Sequence, residues 1–354
     1  PQETRDDAAA ALKKFLVNAR KRGYPIRNVE LGNEEYAFMP VDAYYETVVR
    51  HIAAIQEAEP EAAIWITLGA NLVGESDRKL IYPWAETLVK KLAAAGFNRN
   101  PRIGFTLHYV WPEYIHLYSK LLKDNGFTPR LAVTEFHMAG NGNYSDLCPR
   151  YGYAVNLAQF LIDMAQLSAV EIMCIHDLTG QNFGIIHYNQ KSYVTPDFKN
   201  SWDASLGYRS MPSAYVYQLF SNLTGGRIVA GDAGPDNQLT VELGGERRIF
   251  FVNNNVNPKS IRLSKTVTGW SNRAFECDTL SPSSAPSPRE NPGAVSAAAL
   301  GAANHDGDPL RKDQAELKHA SGEIGEDGLL FTVPSHGIAY FRCYNPDARK
   351  NERK

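Results

Sequence analysis

Two stretches decide the fold of this 354-residue chain: VELGNEE at residues 29–35 and LAVTEF at residues 131–136. Each has the composition of a short buried strand, and the strands end at Glu34 and Glu135. A parallel strand that is buried on both faces can expose a carboxylate to water only at its end. Enzymes built from alternating strands and helices place their chemistry at the carboxyl ends of the strands. The two glutamates are therefore the first candidates for functional residues.

Alternating apolar segments extend this pattern over residues 1–225. The spacing predicts strands at about 27–33, 63–68, 103–109, 130–136 and 169–175. Helices are predicted at about 6–21, 42–58, 80–95, 113–124, 151–167 and 212–222. Strands that alternate with helices form parallel βαβ units. Three units of roughly 34 residues would separate Glu34 from Glu135, which is an ordinary unit length.

The pattern of the sequence changes after residue 225. Short β-type segments divided by turn residues predict a β-sandwich over 226–345. A stretch rich in Ser, Pro, Ala, Gly and charge predicts a long surface loop at 281–326, and residues 346–354 form a charged tail.

Only five strands are evident in the first domain, whereas a (β/α)8 barrel has eight. If Glu34 ends the fourth strand and Glu135 the seventh, the first three strands are absent from this chain. We therefore expect either a fragment or a second polypeptide that supplies the missing strands. The alternative is a doubly wound open sheet of five strands, which would leave the two glutamates without a shared cleft.

Composition excludes several classes of partner. The formal net charge is -2, with 37 basic and 39 acidic residues, so neither nucleic acid nor an anionic membrane surface is indicated. The sequence has no apolar run of about 18 residues that would cross a membrane. It also shows no signal peptide, and the localisation stays open, with a secreted or periplasmic site favoured over the cytoplasm.

The four cysteines are too few for a disulfide framework in a chain of this length. Cys174 lies in an apolar run and is expected to be a buried thiol. Cys277 and Cys343 lie in strand-like segments, and the sequence leaves open whether they pair.

Two carboxylates on facing strands suit the cleavage of a glycosidic bond. In a retaining enzyme, one carboxyl group protonates the leaving oxygen while the other attacks the anomeric carbon. We assign the acid/base role to Glu34 and the nucleophile role to Glu135, with Asn33 as a donor to the neighbouring sugar hydroxyl. The structural alternative is a polar loop at Asn33-Glu34 and an ion-paired strand end at Glu135.

The segments at 30–34 and 134–136 resemble the clan of retaining glycoside hydrolases whose acid/base and nucleophile are glutamates on barrel strands four and seven. The following β-domain is similar to that of the α-L-arabinofuranosidase and heparanase/β-glucuronidase branches. The resemblance implies a (β/α)8 barrel followed by a sandwich, and a carbohydrate substrate. It implies further substrate-binding residues on the strand ends and loops: His108, Tyr109, Trp111, His137, His176 and Trp202.

The clan commonly has a Trp where this chain has His176, so the floor of the neighbouring subsite differs. Strand alternation favours Tyr109 over His108 as the partner of the nucleophile. No His-Glu-x-x-His or Cys-x-x-Cys spacing and no glycine-rich phosphate loop is present, and we expect neither a metal nor a cofactor. The predicted activity is α-L-arabinofuranosidase. The alternatives are a glucanase- or β-glucuronidase-type glycosidase, or a carbohydrate-binding relative without activity.

Overall fold

The computed structural model of the chain describes residues 2–71, 75–136, 151–176, 186–188, 208–210, 212–229, 237–263, 273–282, 315–325 and 327–346. Their contacts divide the chain into two compact units. The first comprises Pro1–His137 with Leu167–His176, and the second comprises Met138–Gln166 with Asp177–Lys354. These units group residues by contact, and the domain boundary predicted at residue 225 stays a prediction.

The first unit is a parallel sheet with crossover helices. Its strands are β1 (Asn28–Leu31), β2 (Ala63–Ala70), β3 (Ile103–His108), β4 (Leu131–Phe136) and β5 (Val170–Ile175). They pair in chain order, each parallel to the next. The helices are α1 (Gln2–Lys21), α2 (Glu35–Phe38), α3 (Val41–Ala58), α4 (Glu75–Ala94) and α5 (Pro112–Asp124). All five predicted strands are confirmed, and the structure adds the short helix α2.

The apolar runs of the sequence become the interior of this sheet. β3 is buried along its whole length, and β2 is buried at every residue after its first. α3 covers the sheet with one apolar face, on which Val48, Ile52 and Ile55 are at most 1% exposed. Burial of each such side chain contributes about 1.5–3 kcal/mol.

The parallel sheet is strongly curved. Neighbouring strands lie about 4.8 Å apart, so in a flat sheet β1 and β4 would be separated by roughly 14 Å. Yet the Thr134 hydroxyl of β4 donates a hydrogen bond of 2.9 Å to the Glu30 carboxylate of β1. The first unit is therefore a half-barrel of five strands, with the ends of distant strands brought together on its concave side.

The second unit contains two helices, α6 (Tyr151–Ala165) and α7 (Pro212–Ser221), and antiparallel sheets. Its strands are β6 (Ile186–Tyr188), β7 (Tyr208–Ser210), β8 (Arg227–Ile228), β9 (Gln238–Leu243), β10 (Glu246–Val252), β11 (Lys259–Leu263), β12 (Arg273–Pro282), β13 (Ala315–Ile324), β14 (Leu329–Val333) and β15 (Ile338–Tyr344). A six-stranded sheet has the order β13-β12-β15-β10-β9-β8, and β11 pairs with β14. One apolar core joins these two sheets through residues such as Phe341 and Leu263, as a sandwich requires.

The long loop predicted at 281–326 is wrong at both of its ends. β12 continues to Pro282, and Ala315–Ile324 forms the ten-residue strand β13, paired along its length with β12. Most of β13 is exposed, so the strand shows no apolar alternation that the sequence could reveal. Residues 283–314 lie outside the described part of the chain.

The cysteines differ from one expectation and answer one open question. Cys174 is exposed rather than buried, because β5 lies at the end of the sheet order and pairs only with β4 among the described strands. Cys277 and Cys343 are fully buried but form no disulfide. In the register of β12 and β15, Cys277 lies opposite Phe341 and Cys343 opposite Phe275, so the two thiols are offset by two positions.

Within the described residues, no helix combines the length and the apolar character needed to cross a membrane.

Candidate active site

The turn after β1 carries Glu34 in a left-handed conformation, with φ 59° and ψ 31°. A left-handed residue with a side chain costs on the order of 1 kcal/mol, and such residues cluster at functional sites. Gly32 precedes it at φ 96°, and a Cβ atom there would lie 2.2 Å from the Glu35 carboxylate. The Glu35 carboxylate is the mobile end of a side chain and can move away, so it is the positive φ of Gly32 that favours glycine in this tight turn.

Buried hydrogen bonds hold the end of β1 in place. The Tyr44 hydroxyl of α3 donates to the carbonyl oxygen of Leu31 and accepts from the backbone N–H of Thr67 at 3.0 Å. The Thr67 hydroxyl donates to the same Leu31 carbonyl at 3.2 Å. The strand that carries Glu34 is thus fixed to its neighbour β2 immediately before the turn.

Glu34 has two partners at one oxygen. The Tyr36 hydroxyl donates to Oε1 at 3.1 Å, and Nδ1 of His108 lies 3.1 Å from the same atom. Burial, followed by the charge of Glu34 and the hydrogen bond to it, raises the pKa of Tyr36 well above its ordinary value. Tyr36 therefore stays protonated and acts as a donor.

Glu135 is the penultimate residue of β4, on the same side of the sheet. The Tyr109 hydroxyl donates to Oε2 at 2.7 Å. Nδ1 of His108 lies 3.8 Å from this oxygen, and Nε2 of His176 lies 3.9 Å from it. The Tyr109 and His176 rings also meet edge to face, with their centroids 6.0 Å apart.

Neighbouring residues His108 and Tyr109 both reach the carboxylates, which strand alternation alone would not allow. Tyr109 has φ 52°, so the backbone leaves the extended conformation directly after His108. The change turns the Tyr109 side chain back toward the side on which His108 lies. Glu34 and Tyr109 are two of three non-glycine residues with positive φ in the described part of the chain, and both lie at this site.

A third carboxylate belongs to the cluster. Glu30 of β1 accepts a hydrogen bond of 2.9 Å from the Thr134 hydroxyl, and Nε2 of His108 lies 3.2 Å from that hydroxyl. His108 is 2% exposed, so its two ring nitrogens face Glu34 and Thr134 away from bulk water.

The spacing of the groups limits the chemistry of the site. One atom each of Glu34, His108 and Glu135 lie within 4.8 Å of one another. The carboxyl groups of retaining glycosidases are about 5–5.5 Å apart, whereas those of inverting enzymes are about 6.5–9.5 Å apart. The three side chains are also near enough to hold a cation, although hydrogen bonds from Tyr36 and Tyr109 already occupy the carboxylates.

Of the other residues from the sequence prediction, Asn33 and Trp111 lie in described segments and two lie outside them. Asn33 is exposed in the turn, and no described hydrogen bond joins it to either carboxylate. Trp111 is half-buried at the start of α5, where its carbonyl oxygen accepts from the backbone of Tyr114 and Ile115. His137 and Trp202 lie outside the described residues.

The structure adds Glu30, Tyr36 and Thr134 to the site. The position of Glu30 between the apolar residues Val29 and Leu31 was a signal in the sequence for this residue. Tyr36 and Thr134 each lie within two residues of a candidate glutamate, but a tyrosine or a threonine at such a position does not by itself indicate a functional residue.

No protein-family model and no curated protein matches the sequence. Solved structures do match the fold. A GH39 enzyme from Xanthomonas axonopodis pv. citri has a TM-score of 0.59 at 13% identity, over 96% of this chain and 73% of that chain. A monomeric β-xylosidase from Caulobacter crescentus CB15 has a TM-score of 0.59 at 13% identity, over 96% and 74%.

An arabinose-bound GH51 α-L-arabinofuranosidase matches with a TM-score of 0.54 at 13% identity, over 91% of this chain. This chain spans 46% of that enzyme's length. The expected likeness to glycoside hydrolases is confirmed at the level of the fold. The branch within these enzymes stays a prediction.

Proposed function

We propose that this protein is a retaining glycoside hydrolase that uses Glu34 and Glu135. The observation that carries the proposal is the spacing of the two carboxylates, which have oxygens within 4.8 Å of each other on the concave side of a half-barrel. That spacing is nearer to the roughly 5–5.5 Å of retaining enzymes than to the roughly 6.5–9.5 Å of inverting enzymes. Two left-handed residues at the site, Glu34 and Tyr109, support a functional origin for the arrangement.

In the proposed mechanism, Glu135 attacks the anomeric carbon while Glu34 gives its proton to the leaving oxygen. A covalent bond forms between the sugar and Glu135, and the glycosidic bond breaks. Glu34 then takes a proton from water, whose oxygen displaces Glu135 from the sugar. The Tyr109 hydroxyl, 2.7 Å from Oε2, orients the attacking carboxylate.

For the substrate, α-L-arabinofuranosides remain the first choice. The structures with a similar fold include an α-L-arabinofuranosidase, a β-xylosidase and a GH30 endoxylanase. Arabinose and xylose are both pentoses, so their glycosides form the centre of the substrate panel. β-Glucosides and β-glucuronides represent the alternative specificities.

The test is hydrolysis of this panel of p-nitrophenyl glycosides by the wild type and by Glu34→Ala and Glu135→Ala. We expect each substitution to lower kcat by at least about 10³-fold, since each removes a group that takes part in bond breaking. Added azide should restore turnover in both variants. The glycosyl azide formed should keep the configuration of the substrate in Glu34→Ala and invert it in Glu135→Ala.

The competing function is carbohydrate binding without catalysis. It would be supported if the wild type bound the sugars in calorimetry but hydrolysed none of the panel. A measurable rate that neither substitution lowers would reject the roles given to Glu34 and Glu135.

We further propose that strands outside this sequence complete the barrel, either in a longer form of the same polypeptide or in a second polypeptide, since the described residues provide five parallel strands and a closed barrel has eight. Native mass spectrometry of the active protein tests this directly. A single active chain of 39.3 kDa would contradict it.

A further inference from the structure

Buried His108 connects two carboxylates through its two ring nitrogens. Nε2 lies 3.2 Å from the hydroxyl oxygen of Thr134, and that hydroxyl lies 2.9 Å from Oε1 of Glu30. On the other side of the ring, Nδ1 lies 3.1 Å from Oε1 of Glu34. The chain of contacts therefore runs from Glu30 through Thr134 and His108 to Glu34.

The directions of these hydrogen bonds follow from the inventory of protons. A carboxylate only accepts hydrogen bonds, so the Thr134 hydroxyl donates its single proton to Glu30. The hydroxyl oxygen must then accept from His108, which places a proton on Nε2. A neutral imidazole has one N–H, so Nδ1 presents a lone pair to Glu34.

We propose that Glu30 and Thr134 are positioning residues that fix His108 as its Nε2–H tautomer and thereby give the proton of Glu34 a fixed acceptor. This inference rests on the acid/base role proposed for Glu34. Tyr36 also donates to Oε1, so the oxygen that faces Nδ1 is supported from a second side.

The Nε2–H tautomer of His108 assists both steps of the reaction. Before cleavage, the proton of Glu34 lies toward Nδ1, and it passes to the leaving oxygen when the glycosidic bond breaks. The deprotonated carboxylate of Glu34 then faces the lone pair of Nδ1 instead of a hydrogen-bond donor, since Nδ1 carries no proton. That arrangement favours the uptake of a proton from the attacking water in the second step.

The opposite tautomer would reverse this preference. In Thr134→Val, Nε2 loses its acceptor, and His108 is able to move its proton to Nδ1. In Glu30→Gln, the side-chain amide is able to donate to Thr134, whose hydroxyl then donates to Nε2. In both variants Nδ1–H donates to Glu34 and stabilises the carboxylate, so the acid function weakens.

The first measurement is nitrogen NMR of ¹⁵N-histidine-labelled protein near neutral pH, with the His108 signals assigned from the spectrum of His108→Gln. We expect a protonated Nε2 and an unprotonated Nδ1 in the wild type, and a shift toward Nδ1–H in Thr134→Val and Glu30→Gln. A wild-type Nδ1–H tautomer, or an imidazolium, would overturn the proposal.

The second measurement compares kcat/KM for aryl glycosides with good and poor leaving groups. A dinitrophenolate leaves without a proton, whereas a poor leaving group needs the acid. Thr134→Val should lower kcat/KM for the poor leaving group by roughly tenfold and change it less than about twofold for the dinitrophenyl glycoside. An equal loss on both substrates would indicate a structural role only and would contradict the inference.

Two variants serve as controls. Thr134→Ser keeps the hydroxyl and should restore both the tautomer and the leaving-group dependence. Thr106→Val removes another buried threonine hydroxyl from β3, one without a hydrogen-bond partner among the described residues, and should change neither. If the wild type hydrolyses no glycoside, the proposed function fails while the tautomer result still stands.

Discussion

Two groups of acidic side chains, one in each unit of the chain, are held by different partners. In the β-domain, Arg342 makes two hydrogen bonds of 2.6 and 2.7 Å to the carboxylate of Glu246, and Arg248 donates to it at 3.1 Å. In the half-barrel, the partners of Glu34 and Glu135 are tyrosine hydroxyls and a histidine.

This difference separates structural from chemical use of a carboxylate. A guanidinium stays protonated at every ordinary pH, so it holds its carboxylate permanently as an ion. Hydroxyl and imidazole groups donate or accept according to the protonation of their neighbour. Glu246 is therefore suited to join β10 to β15, whereas Glu34 is suited to exchange a proton.

Among the variants that test this contrast, Glu246→Gln is expected to have the largest effect. The substitution removes the carboxylate that Arg342 and Arg248 share, although Arg342 keeps Glu276 at 3.6 Å. We expect the free energy of unfolding to fall by about 1–3 kcal/mol at neutral pH. The measurement is urea denaturation, with kcat unchanged. Glu316→Gln removes an exposed carboxylate that pairs with Lys318 and should cost less than about 0.5 kcal/mol.

The pH dependence of this loss has a definite sign. Burial by itself would raise the pKa of Glu246, but the hydrogen bonds from Arg342 and Arg248 outweigh it and hold the pKa below its ordinary value of 4.5. A lowered pKa gives stability above about pH 4.5 that is lost as the pH falls through the folded-state value. The difference between the wild type and Glu246→Gln should shrink in acid, and a constant difference would argue against the ion pair.

A smaller effect is expected from Tyr109→Phe, which keeps the ring and removes the hydroxyl that binds Glu135. Loss of one hydrogen bond to a charged group is worth about 1.5 kcal/mol, so kcat should fall roughly tenfold. The free energy of unfolding should change little. Tyr82→Phe, on the half-buried face of α4, is the matched control and should leave kcat unchanged. If Tyr109→Phe lowered the free energy of unfolding but left kcat unchanged, Tyr109 would have a structural role, as Glu246 does.

The same contrast shows what the sequence was able to predict. Apolar spacing located β1 to β5 and the glutamates near the ends of β1 and β4, and burial imposes this pattern most completely on β2 and β3. The exposed strand β13 has no such pattern and was taken for a loop. Its existence depends on ten partners in β12 that are distant in sequence.

The candidate site was predictable only where it lies at strand ends. The contact of Glu30 with Thr134 depends on the curvature of the sheet, which no local pattern encodes. Tyr109 was favoured over His108 by strand alternation. The left-handed backbone at Tyr109 instead brings both side chains to the carboxylates, and such a conformation follows from the folded surroundings rather than from the residue type.

The smallest expected effect is a change in the reactivity of the Cys174 thiol, which tests the curvature of the parallel sheet. Partial burial, followed by the charge of Glu30, raises the pKa of Cys174, although β5 and β1 are at opposite ends of the sheet order. In a flat sheet the two strands would be roughly 19 Å apart, and salt would screen a charge beyond about 10 Å. Iodoacetamide should therefore label Cys174 about twofold faster in Glu30→Gln, because the thiolate is the reactive form.

Peptide mapping by mass spectrometry follows the rate at each cysteine. Cys277 and Cys343 should stay unlabelled in the native protein, since both are fully buried and burial raises the pKa of Cys277 to about 12. Asp124→Asn removes an exposed carboxylate from α5 and should leave the Cys174 rate unchanged. An unchanged rate in Glu30→Gln would mean that the edges of the half-barrel do not approach each other. The convergence of its strand ends on one site would then lose its physical basis.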